Sequence, residues 1–132
     1  MDKYQEFHIE LLEQTYNNLI QMPPFNTQSC STQDQVFLER FSALIEDFKV
    51  LKSGYTEQGQ DFCCTWVRAY PDLVPVLPRD LLWYFGGDCL HFMPDEEIDT
   101  FAQLDERRHD AQSAQQTFDY PKERAKAFNL LH

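Results

Sequence analysis

Long apolar runs are missing from this chain: no window approaches the ~18 residues that a membrane-spanning helix needs, so no membrane partner is expected. The opening MDKYQEF has no basic segment leading into an apolar one, so no secretory leader is expected and the cytoplasm is the expected compartment. Positive charge is scarce. Eleven Lys and Arg face twenty-two Asp and Glu, a net charge of -11, which disfavours direct binding to nucleic acid phosphates and points to basic or neutral partners. Only four glycines are present, with neither a GxGxxG nor a GK[ST] phosphate loop and no GxSxG elbow, which removes the usual sequence signs of nucleotide binding and serine hydrolysis. The four cysteines, Cys30, Cys63, Cys64 and Cys89, lack CxxC spacing, so reduced thiols are expected.

Aromatic residues, by contrast, are plentiful. Eleven Phe and six Tyr in 132 residues supply a packed core for one domain spanning 1–132 and argue against disorder. The apolar periodicity is helical. Tyr4, His8, Leu11, Leu12, Thr15, Leu19 and Ile20 outline a first helix that Met22-Pro23-Pro24 stops. Thr32 with Gln35 makes a capping box for a second helix, striped by Phe37, Phe41, Leu44, Ile45, Phe48 and Leu51 and ended by Ser53-Gly54. A third, from near Thr56, carries Phe62, Cys63, Trp66, Val67 and Tyr70 up to Pro71. Three prolines between 71 and 78 predict an extended connector, and Pro78 suits the first turn of a helix running to about Phe85. A further helix from about Asp95 shows Ile98, Phe101 and Leu104, then loses its stripe after Asp105 and is expected to fray through DAQSAQQ. Asp119 and Pro121 open a last one with Ala125, Phe128 and Leu131 inward. No strand pair stands out, and the expected fold is all-α, a single domain of five or six helices.

Chemistry concentrates in LLWYFGGDCLHFMPDEEID, residues 81–99. Leu81 to Phe85 cover every side of a short helix, so Leu82, Trp83, Tyr84 and Phe85 are expected to anchor either the core or a homodimer contact. Gly86 suits a helix end. Asp88, Cys89 and His91 offer oxygen, sulfur and nitrogen to a metal, yet three groups within four residues are no complete ligand set. Simpler roles are turn capping for Asp88, core packing for Cys89 and a hydrogen-bonded core position for His91. Asp95, Glu96, Glu97 and Asp99 offset the positive end of a helix.

Glu106 and His109 have the Glu-x-x-His spacing of di-iron bundles, but those sites use two such pairs. His109-Asp110 is similar to the paired metal ligands of HD-type phosphohydrolases, whose ligands lie on well-separated helices rather than within about thirty residues. Cys64, about one turn from Arg68, is either a partly exposed thiolate tuned by that cation or a flank of the core.

The run FCCTWVRAYPDLVPVLPRDLLWYFGGDCLHFMPDEEID, residues 62–99, resembles a small uncharacterised family of gammaproteobacterial proteins of about this length. That resemblance implies a bacterial cytoplasmic protein and transfers no mechanism. The expected function is therefore non-enzymatic: an acidic protein acting through protein contacts, self-associating as a homodimer, with no cofactor and no catalytic residue assigned. One alternative is an acidic decoy that imitates nucleic acid, for which the spread of acids along the chain leaves room. The other is a metal-dependent hydrolase of helical-bundle type using His91, Glu106, His109 and Asp110, with Asp88 as a further ligand.

Overall fold

The computed structural model describes residues 1–129 and is all-helical over them. Its α-helices are α1 (Lys3–Leu19), α2 (Thr32–Lys49), α3 (Tyr55–Ala69), α4 (Arg79–Phe85), α5 (Asp95–Ser113) and α6 (Tyr120–Ala127), with 3₁₀ segments at Pro71–Val76 and Gly87–Phe92. Six α-helices agree with the expected number. The inner-face position Leu131 lies outside the described residues.

Local chemistry starts the first two helices. Asp2 accepts from the Gln5 amide at 2.8 Å while the Gln5 side chain takes the Asp2 amide, a capping box. The second box is displaced by one residue from expectation: Ser31 and Asp34, not Thr32 and Gln35, exchange hydrogen bonds of 3.0 and 2.9 Å. An acid three residues into the helix also offsets its positive end, an advantage that Gln35 cannot offer.

α2 packs on both α1 and α3. The stripe predicted for it is the centre of the core, with Phe37 and Phe41 against Phe62 at ring separations of 4.7 and 4.9 Å. Leu51 departs from the stripe: helix α2 ends at Lys49, and Leu51 is exposed with a positive φ of 51°. The proline connector is not extended. Residues 71–76 form a 3₁₀ helix, because amides between the prolines still bond: Leu73 donates to the Tyr70 carbonyl and Leu77 to that of Val74, both at 3.0 Å. The Trp66 indole N–H fastens it to α3 through the Leu73 carbonyl at 3.1 Å. Nor does α5 fray where its stripe fades, remaining helical to Ser113 before the chain turns at Gln115 with φ 56°.

The 81–85 pentad lies inside its own chain. Leu81, Leu82 and Phe85 are buried, and the partly buried Trp83 and Tyr84 pack on the core. Trp83 lies flat on Phe101 of α5 at 5.8 Å, and Tyr84 on Phe48 of α2 at 5.2 Å.

Candidate functional site

A polar seam runs through the junction of α1, α4, α5 and α6. It begins with Tyr4 and His8, four residues apart and therefore on one face of α1. His8 is fully buried. Its Nδ1 lies 2.7 Å from the Tyr4 carbonyl, which can only accept, so Nδ1 carries the proton and Nε2 presents a bare lone pair. That Nε2 has no partner among the described residues. Burial pushes the imidazole pKa down to about 4, against the opposing pull of the Tyr4 carbonyl, Asp80 and Asp105. The ring stacks on Tyr84 at 4.5 Å and lies 5.7 Å from Tyr120.

Around this neutral histidine stand two ion pairs. Arg124 of α6 spans both oxygens of the buried Asp80 on α4, the longer contact being 2.7 Å. Arg108 of α5 lies over the Tyr4 ring at 3.7 Å, with its Nε 3.5 Å from Asp105. Asp105 in turn accepts from the Trp83 indole at 2.9 Å. Burial, more than any neighbouring charge, raises the Tyr4 and Tyr120 hydroxyls above their usual range, so both stay protonated. The Tyr120 hydroxyl is buried with no partner among the described residues.

Two clefts open over the seam and share Lys3, Phe118 and Tyr120 in their walls. The smaller, about 260 Å³, includes Tyr4, Arg108 and Gln112. The larger, about 420 Å³, lies between α1 and residues 117–121. Phe7, Phe118 and Tyr120 give it an aromatic floor, with Phe7 and Tyr120 edge to face at 5.0 Å. Glu6 and Glu10 line it from α1, and neither forms an ion pair among the described residues.

A family model described as PA2817-like matches residues 1–131. The chain belongs to the PA2817-like family. No curated protein and no solved structure matches it. The resemblance seen in residues 62–99 thus covers nearly the whole PA2817-like chain, within a small family of uncharacterised type.

The residues singled out in this PA2817-like sequence fall elsewhere. Glu106, His109 and Asp110 are exposed on α5. Asp88 and His91 are exposed in the 87–92 segment, which corrects both simpler roles: His91 is not a core histidine, and the Asp88 carboxylate caps no backbone amide among the described residues. In the tight 3₁₀ turn Cys89 points inward and Leu90 and Phe92 lean on the core, which leaves Asp88 and His91 on the outer side. No group of three or more metal-capable side chains assembles among the described residues. Cys64 is buried, and burial pushes its thiol up despite Arg68. Arg107 and Arg108 pair with Glu123 and Asp105, leaving Glu106 aside. Of the seam, the sequence shows Tyr4 and His8 on the α1 stripe and Trp83 and Tyr84 in the 81–85 pentad. Asp80, Asp105, Arg108, Tyr120 and Arg124 carried no periodic signal, and a polar His on an apolar stripe was the one available clue.

Proposed function

We propose that this protein acts by contact with another protein, and that the cleft between α1 and residues 117–121 receives a basic side chain of that partner. The observation that carries the reading is the pairing of two unengaged carboxylates, Glu6 and Glu10, with an aromatic floor of Phe7, Phe118 and Tyr120. A lysine or arginine there meets carboxylates at the rim and ring faces below, the two environments that stabilise a cation. The net charge of -11 favours approach by a basic partner at long range.

The test is titration with an acetylated, amidated tetra-arginine peptide, followed by NMR. Changing Glu6→Gln with Glu10→Gln should weaken binding about tenfold, from two lost cation contacts of somewhat under 1 kcal/mol each. The control pair Asp95→Asn with Glu96→Gln removes the same charge from the first turn of α5 and should leave the affinity nearly unchanged. Equal loss from both pairs overturns the cleft reading and favours the nucleic-acid-mimicking alternative, in which acids act wherever they stand. Stoichiometric metal in untagged protein would favour the hydrolase alternative instead.

Self-association belongs to this proposal only through other surfaces. A dimer built on residues 81–85 would first have to strip Leu82 and Phe85 from their own core.

A further inference from the structure

The smaller cleft is built for the opposite charge from the larger one. Lys3 in its wall forms no ion pair among the described residues. Arg108, with 19 % of its side chain exposed, comes within 3.5 Å of Asp105 through Nε without forming a hydrogen bond. The guanidinium hydrogen bonds among the described residues belong to Arg79 and Arg124, so the donors of Arg108 are unspent. The Tyr4 ring, 3.7 Å from the guanidinium carbon, holds that fork in place. Gln112 stands one turn further along the same face of α5. Gln116 joins them because the chain turns at Gln115, and its amide returns to the Ala111 carbonyl at 2.8 Å. Asp2, the one acid in this wall, is engaged at the α1 cap with the Gln5 amide. A forked cation flanked by side-chain amides is the chemistry that receives a carboxylate.

Size and charge narrow the ligand further. About 260 Å³ lies below the ~300–1,000 Å³ usual for a small-molecule pocket, which suits the end of a chain better than a segment passing through. A lone carboxylate is repelled at long range by the net charge of -11, so it must arrive on a basic segment. The two clefts can take both charges at once. Lys3, Phe118 and Tyr120 stand in both walls. From Lys3, the carboxylate-bearing Glu6 and Glu10 follow about 4.5 and about 10 Å along the α1 axis, a span on the scale of one extended basic side chain.

We propose, resting on the reading of the larger cleft under Proposed function, that the partner is recognised by its C-terminus: a chain ending in arginine or lysine, whose last side chain enters the larger cleft beside Glu6 and Glu10 while its terminal carboxylate meets Arg108 in the smaller one. Phe118 and Tyr120, common to both walls, lie under the link between the two charges.

The experiment titrates the full chain with acetylated tetra-arginine in two forms, C-terminal acid and C-terminal amide, followed by NMR. The acid carries one positive charge fewer, so general attraction to an acidic protein favours the amide. The expected result is the reverse: the acid binds about fivefold tighter, the upper end for an ion pair open to solvent, and it alone shifts the signals of Gln112 and Gln116. Arg108→Gln should abolish that preference while the amide still binds. Comparing the two peptides on the unaltered chain requires no substitution, so a variant that fails to fold cannot mask the answer. Equal affinity, or tighter binding of the amide, overturns this proposal; if binding still weakens with Glu6→Gln and Glu10→Gln, the larger cleft stands without it, and if it does not, both fall. A preference for the acid that survives in folded Arg108→Gln also overturns it. So does Nα-acetylarginine binding as tightly as the tetrapeptide, since the ligand would then be a free amino acid derivative and not a chain end.

Discussion

Gly59 illustrates how much a single position decides. A Cβ there would fall 2.2 Å from atoms of the Phe85 ring, well inside contact distance. Alanine is the better helix former by about 1 kcal/mol, but overpacking a ring that is itself only 2 % exposed costs about 1–3 kcal/mol or more. Gly59→Ala should therefore lower stability, by up to about 2 kcal/mol in urea denaturation, despite its propensity. His8 gives a second expectation. The unfolded chain takes up a proton near pH 6.5, whereas the folded chain takes it up only near pH 4. Stability from this group is complete above 6.5 and falls as the pH drops through that window, by about 1.4 kcal/mol per unit. Urea denaturation at pH 7 and pH 5 should show the wild type losing about 2 kcal/mol more than His8→Gln, since carboxylate titration is common to both. An equal loss would mean that His8 is protonated in the folded state. The sequence placed His8 on the right face of α1. It could not say that the partners around it arrive from α4, α5 and α6, because periodicity reports which side is inward, not what waits there.

At the scale of elements, apolar stripes and helix-start signals are legible in the sequence, α6 with its Asp119 cap and Pro121 included, whereas the polar contacts that hold α6 in place are not. The stripe Phe37, Phe41, Leu44, Ile45 and Phe48 is buried as expected, since one side of α2 must leave water. Residues 71–76 form a 3₁₀ helix rather than an extended connector because proline rules exclude an α-helix or inner strand while leaving the 3₁₀ turn open. Beyond Tyr120 at its start, which packs on Tyr4 and Phe7 of α1, α6 has little apolar surface of its own, and Arg124 fastens it by reaching the buried Asp80 with two hydrogen bonds. Removing one partner of such a pair leaves an uncompensated charge in the interior. Arg124→Met should cost about 3–5 kcal/mol, against about 0–1 kcal/mol for Arg107→Met, whose pair with Glu123 is exposed. Hydrogen exchange should show the amides of 120–127 in Arg124→Met losing protection well before those of α2. Equal protection would show that the aromatic contacts of Tyr120 with α1 and of Phe128 with Phe101, the latter at 4.8 Å, hold α6 without the ion pair.

For the whole molecule, the open question from the sequence was whether five consecutive large side chains could be enclosed by one chain of 132 residues. Leu81, Leu82 and Phe85 are enclosed and Trp83 and Tyr84 partly covered, because the short α4 is met from several directions: α1 and α3 pack on it, and Phe101 of α5 lies over the Trp83 ring. Trp83 is the sharpest probe of that enclosure. Its ring lies parallel to Phe101, and its indole N–H satisfies Asp105, whose second oxygen already has no hydrogen-bond partner among the described residues. Trp83→Ala removes the stacking, leaves a cavity against α5 and deprives the half-buried Asp105 carboxylate of a donor. The expected cost is about 3–5 kcal/mol. An interface ring would behave differently, because its loss would weaken association in proportion to protein concentration. Sedimentation of both proteins across a tenfold range of concentration should give the same mass for each, with the variant unfolding at lower urea. A drop in mass on Trp83→Ala, with the urea midpoint unchanged at low concentration, would return residues 81–85 to the surface between two copies.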